Sequence, residues 1–106
     1  MSELIALSKV LASSGKGSLT FFCKGCDGPH SINHGLGADP RWGWNGSLDK
    51  PTFTPSVLVR WNEGSAAKVC HSFVTDGRIQ YLGDCTHALA GQTVDLADWK
   101  SNWDAW

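Results

Sequence analysis

Apolar residues along this chain come in short bursts, cut by glycine, proline and small polar residues. Leu4 to Leu11 is a first apolar run, Ser13 to Gly17 reads as a turn, and Leu19-Thr20-Phe21-Phe22 follows as a strand. Together they predict an opening β-hairpin that delivers Cys23, although a helix over residues 3–11 fits the same short run. His30 and Ile32 begin another strand, and Val57 to Trp61 is a further one, closed by a turn at Asn62 to Ser65. Lys68 to Thr75 and Arg78 to Gly83 flank Asp76-Gly77, the clearest hairpin signal in the chain. In the tail, Leu96, Trp99, Trp103 and Trp106 recur at helical spacing behind Asp95 as a plausible N-cap, which predicts a C-terminal helix.

Residues 35–56 break this rhythm. Three prolines and four glycines exclude a regular helix there. Trp42 and Trp44 alternate with small residues, and Asn45-Gly46 marks a turn. The expectation is a long ordered Trp/Pro/Gly loop laid over the domain, of the kind that often carries function. The fold class expected is therefore α+β and β-rich: one domain over residues 1–106, built of β-hairpins, a zinc-ribbon-like C-x-x-C knuckle, the long loop and the C-terminal helix.

Composition narrows the function. With 106 residues the core is modest, so a structural metal would help. Nine Lys and Arg against ten Asp and Glu leave a formal charge of −1, which argues against nucleic-acid backbones and anionic membranes as partners. No stretch is long and apolar enough for a span, and the N-terminus does not read as a signal peptide. Four cysteines without an export signal favour a reducing compartment, the bacterial cytoplasm, where metal binding is expected rather than disulfides.

The cysteines carry the candidate chemistry. Cys23-Lys24-Gly25-Cys26 is a knuckle whose glycine suits the turn that aims backbone N–H groups at sulfur. With Asp76-Gly77 as the two turn residues, Thr75 faces Arg78, Val74 faces Ile79 and Ser72 faces Tyr81. Cys70, Ser72, Val74, Ile79, Tyr81 and Cys85 then share one face, and His71 and Asp84 the other. Cys70 and Cys85 meet at the open end of the hairpin and complete a tetrahedral thiolate site with Cys23 and Cys26, for which Zn²⁺ is the default ion. His87 and His71 are rival ligands. His71 with Asp84 reads as a hydrogen-bonded cross-strand pair, and His30 and His34 as solvated or capping residues, His30 with a lesser claim as a metal ligand or a support to one.

Two function classes follow. The first is a non-enzymatic zinc-stapled module that meets a protein partner through residues 41–56 or the Trp99/Trp103/Trp106 stripe, the latter also able to pack on a second copy as a homodimer. The second is a zinc hydrolase or a Cys-dependent enzyme centred on Cys70, His71, Asp84, Cys85 and His87, with His71, Asp84 and His87 as the acid/base groups.

Several stretches resemble a family of small bacterial and phage proteins filed as a domain of unknown function. They are Phe22-Cys23-Lys24-Gly25-Cys26 with His30, Trp42-Gly43-Trp44-Asn45-Gly46 with Pro51-Thr52-Phe53-Thr54-Pro55-Ser56, Cys70-His71-Ser72-Phe73-Val74-Thr75-Asp76-Gly77-Arg78-Ile79-Gln80, and Asp84-Cys85-Thr86-His87 through Val94. The resemblance covers about residues 19–99. It implies a phage or prophage context and a small metal-binding domain, with relatives beside ubiquitin-like conjugation genes and hence an accessory role there. Members are often labelled ammonia monooxygenase. That activity belongs to membrane copper enzymes, and this chain shows neither a span nor a copper-oxygenase ligand set.

Overall fold

The computed structural model describes residues 5–15, 17–35 and 40–98. Nine strands run in chain order: β1 (Ile5–Ala6), β2 (Ala12–Gly15), β3 (Ser18–Cys23), β4 (Gly28–His34), β5 (Arg41–Trp44), β6 (Phe53–Glu63), β7 (Ala66–Thr75), β8 (Arg78–Tyr81) and β9 (Thr93–Asp95). Each pairs with the next in sequence, and every pairing is antiparallel except β4 with β5. A sheet this long must curl, because each strand is twisted against its neighbour. The curl brings Leu19, Phe21 and Ile32 of the first half against Phe53, Val57, Val74, Ile79 and Tyr81 of the second in one core. Phe21 and Phe53 stack across that join with ring centroids 6.1 Å apart.

Alternation sets the faces. Along β7, Cys70, Ser72 and Val74 are buried, His71 is half-buried, and Phe73 and Thr75 are exposed. The Asp76-Gly77 turn has positive φ at both residues (55° and 79°), as a two-residue hairpin turn requires. Its register is Thr75 with Arg78, Val74 with Ile79 and Ser72 with Tyr81, as the sequence predicts.

The expected α+β class and C-terminal helix are corrected: the described residues contain no helix, and they form an all-β fold. Asp95, expected to cap the helix, is the last residue of β9 and pairs with Arg78, its Oδ1 lying 3.3 Å from the Arg78 Nε. Beyond it Leu96 donates its N–H to the Gly77 carbonyl (3.0 Å), and Leu96 and Ala97 are buried. Helical spacing lost because the free edge of β8 takes Thr93–Asp95 as a strand, and β-branched Thr93 and Val94 suit a pleated edge. Trp99, Trp103 and Trp106, the stripe of that expected helix, lie outside the described residues.

The long loop is also corrected. Within it Arg41–Trp44 is strand β5 and β6 begins at Phe53, with residues 45–52 the loop between them, pinned where Asn45 Oδ1 accepts from the Ser47 and Thr52 N–H groups (3.1 Å each). The opening stretch makes two hairpins in place of the one expected. Ser8 Oγ accepts from the Val10 and Leu11 N–H groups where β1 turns into β2, and the hairpin that delivers Cys23 is β2 with β3, its turn between Gly15 and Ser18 and Ser13 to Gly15 lying in β2. Among the described residues no helix is long and apolar enough to cross a membrane.

Candidate active site and metal centre

The β3–β4 turn builds the knuckle. The Cys26 N–H donates to Cys23 Sγ (3.4 Å), and Asp27 closes the turn with φ of 55°. Tyr81, at the inner end of β8, places its hydroxyl 3.2 Å from Cys23 Sγ while accepting the Gly25 N–H (3.2 Å). Cys70 lies at the centre of β7 with Sγ 3.8 Å from that of Cys23, although 47 residues separate them. His30 comes from β4, one strand away, and is buried. The Sγ atoms of Cys23, Cys26 and Cys70 and one ring nitrogen of His30 all lie within 4.8 Å of one another. Cys70, Cys85 and His87 form a second such group. All four cysteines are free thiols.

Crowding sulfur atoms in a low-dielectric pocket divides their acidities. Cys23 is pulled down to about 3, chiefly by the hydrogen bond from Cys70, with His30 and Tyr81 adding to it. Cys26 is pushed up to about 12 by burial first and then by the Cys23 charge. Cys70 moves well above the ordinary thiol range because it donates to Cys23 and is itself desolvated. The cluster thus carries one negative charge easily and resists a second and third. A cation is the partner that lets all the sulfurs ionise, so this donor set fits a metal ion.

The remaining expected ligands sit at the rim. Cys85 Sγ accepts the His71 N–H and donates to the His71 carbonyl, both at 3.2 Å. His87 Nε2 stands 3.5 Å from Cys70 Sγ, and its Nδ1 accepts the Leu89 N–H (3.2 Å). The His87 ring packs edge-on to Tyr81 at 4.5 Å and lies so close to Gly25 that a Cβ there would come within 2.3 Å of it.

His71 points out of the cluster, to the opposite face of β7. Its Nδ1 lies 3.1 Å from Asp84 Oδ2, the cross-strand pair expected from the hairpin register. Its Nε2 lies 2.9 Å from Ser56 Oγ. Ser56 precedes Val57 on β6, within the irregular stretch between Phe53 and Val57 where the β6–β7 register shifts. Ser56 lies two residues before Leu58, the partner of His71, and its hydroxyl meets the histidine from there. Its carbonyl is held by the Trp42 indole N–H (3.1 Å). The three side chains form a linear Ser–His–Asp chain, a constellation recognised by geometry and not by order along the sequence. His71 is 25% exposed and Asp84 57%, so the site opens to solvent. Leu58, paired with His71 across the strands, and Phe73 are exposed on the same face.

Sequence reasoning brings His71 and Asp84 together but leaves Ser56 without a role. The missing signal is the register of β6 on β7. Pairing Leu58 with His71 puts Ser56, two residues back, on the same face and diagonal to the histidine.

The chain matches, over residues 2–82, the model of a protein family described as bacterial ubiquitination-like system serine protease (BubE). The matched span contains Ser56 and His71 and stops two residues before Asp84. No curated protein and no solved structure matches it.

Proposed function

The chain belongs to the BubE family, and from that premise we propose that it is a serine peptidase of a bacterial ubiquitination-like system, with Ser56 as nucleophile, His71 as general base and Asp84 as its orienting carboxylate. The observation that carries this is the unbroken hydrogen-bonded chain from Ser56 Oγ through His71 to Asp84, at 2.9 and 3.1 Å. Ser56 Oγ attacks the carbonyl carbon of the scissile amide while its proton passes to His71 Nε2. Asp84 favours the tautomer that leaves Nε2 free to accept, and it stabilises the imidazolium that forms. The same proton then goes to the leaving nitrogen as the C–N bond breaks, and water releases the acyl group from Ser56 by the reverse sequence.

The rival chemistries are less well supported by the geometry. A mechanism with Cys85 as nucleophile would need its thiol free to face a base, whereas it is engaged on both sides with the His71 backbone. Zinc hydrolysis at His71 and Asp84 would need them at the sulfur cluster, and they are bonded to Ser56 and to each other on the other face. A purely non-enzymatic module leaves the three-residue chain without a purpose. A metal keeps its structural part in this reading: a zinc ion held by Cys23 and Cys70 would tie β3 to β7, one residue before the proposed base His71. Residues 41–56, the segment expected to meet a protein partner, end on the nucleophile, so the partner there would be the substrate. Free thiols suit a reducing cytoplasm, in a phage, prophage or host setting.

Labelling with a fluorophosphonate, which phosphonylates activated serines, tests the reading. The expected result is one adduct per chain on Ser56 by mass spectrometry, lost in Ser56→Ala and His71→Ala. An unlabelled wild-type protein, or equal labelling of Ser56→Ala, overturns it.

A further inference from the structure

The sulfur cluster contains more donors than one ion needs, and the hydrogen bonds sort them. Cys23, Cys26 and Cys70 come together from two strands and the knuckle turn. Three residues compete for the fourth position: His30, Cys85 and His87. Cys85 donates its thiol hydrogen to the His71 carbonyl and accepts the His71 N–H, so its sulfur is already occupied as a thiol. His87 accepts the Leu89 N–H at Nδ1. In a neutral ring the other nitrogen then carries the hydrogen, so Nε2 meets Cys70 Sγ as an N–H donor, with no lone pair for a metal. His30 differs from both. It is 7% exposed, and its Nε2 is buried with no hydrogen-bond partner, one of only two such side-chain atoms among the described residues. A buried ring nitrogen left unpaired is unfavourable unless something fills its lone pair.

We propose that Cys23, Cys26, His30 and Cys70 form one closed Cys₃His metal site, with Cys85 and His87 outside it. The ion takes three thiolates and the His30 imidazole, and releases the thiol protons to solvent as it binds. His87 contributes an N–H···S bond to the Cys70 thiolate, which steadies the ligand and its charge. Cys85 stays a thiol and keeps hold of the His71 backbone. The site is therefore saturated by protein and belongs to the structural class of zinc sites, with no open position for water. This rests on the zinc reading above but not on the peptidase activity, and it departs from the four-cysteine set that the sequence suggests.

The full chain, reduced and stripped of metal, is titrated with Co²⁺ and then loaded with Zn²⁺. Expected is one equivalent of cobalt with the intense d–d bands of a tetrahedral site. Zinc K-edge X-ray absorption should count three sulfurs at about 2.3 Å and one nitrogen at about 2.0 Å. Cys85→Ser should bind cobalt with unchanged stoichiometry and tetrahedral spectrum. His87→Ala should weaken binding by about tenfold, as loss of an outer hydrogen bond does, and His30→Ala by more than about 100-fold. If His30→Ala does not fold, ¹⁵N-histidine NMR of the wild-type zinc protein decides the matter, because only the His30 ring should show a metal-shifted nitrogen. Four sulfurs in the absorption spectrum, or a metal shift on His87, overturns the assignment. Failure to take up either metal overturns the zinc reading itself.

Discussion

Asp84 tests whether the three aligned side chains act as one catalytic unit. Its carboxylate lies 3.1 Å from His71 Nδ1, but the side chain is 57% exposed, more open to water than a buried orienting carboxylate would be. When His71 takes the Ser56 proton, an imidazolium forms about 4 Å, charge to charge, from that carboxylate. The attraction is about 4 kcal/mol at the effective dielectric of a protein surface and about 1 kcal/mol in bulk water. Discounting for the exposure and for screening by salt, about 2 kcal/mol of transition-state stabilisation remains. At about 1.4 kcal/mol per decade, Asp84→Ala should lower kcat/KM about 30-fold. Ser56→Ala, which removes the nucleophile, should cost several orders of magnitude. The assay is hydrolysis of p-nitrophenyl acetate by the metal-loaded protein, run for both single variants and the double variant. Residues acting as a unit are non-additive, so Asp84→Ala should add almost nothing once Ser56 is gone. A change under about twofold in the single variant refutes the reasoning. So does a full 30-fold loss in the Ser56→Ala background, which would place Asp84 outside the Ser56 reaction.

Three further outcomes concern the knuckle. Tyr81→Phe leaves the Gly25 N–H without its acceptor and strips a contact from Cys23, so the melting temperature should fall with about 1–2 kcal/mol of stability, read by denaturant unfolding. Gly25→Ala drives a methyl into the His87 ring and should cost about 1–3 kcal/mol in the same measurement; an unchanged midpoint would mean the turn relaxes freely. Metal uptake should release protons, because Cys26 is held up at about 12 and Cys70 is displaced in the same direction. Both thiols are protonated at neutral pH and must ionise to bind. Affinity should therefore rise with pH, and calorimetry in buffers of different ionisation enthalpy should find about two protons released per ion.

The hairpin around Asp76-Gly77 was legible because its determinants are local. Two residues that accept positive φ, flanked by alternating apolar positions, leave one register, and that register places Cys70 inward and His71 outward beside Asp84. The knuckle was legible for the same reason. The tail departs from its helical spacing because that spacing does not reveal the free edge of β8, and an edge in need of hydrogen bonds outweighs a weak propensity. The Trp-rich stretch departs from a loop because Arg41–Trp44 is a strand only by virtue of β4 on one side and β6 on the other.

Ser56, the proposed nucleophile, marks the boundary between the two kinds of information. Residue chemistry alone nominated the cysteines and histidines, since thiols and imidazoles are rare and their roles few. Serine is common and chemically quiet, and only a base within hydrogen-bonding distance singles one out. Ser56 acquires that base through a β6–β7 pairing that spans a turn and a bulge, which no local pattern specifies. His30 is the counterpart at the metal centre. In sequence it is a weak ligand candidate after a knuckle, and its place among the three sulfurs, buried with an unpaired ring nitrogen, raises it above the others. The chain by itself determined which cysteines and histidines can do chemistry, but not that Ser56 can. The closing of the sheet decided which of them meet, because distance between side chains is a property of the pairing and not of the order.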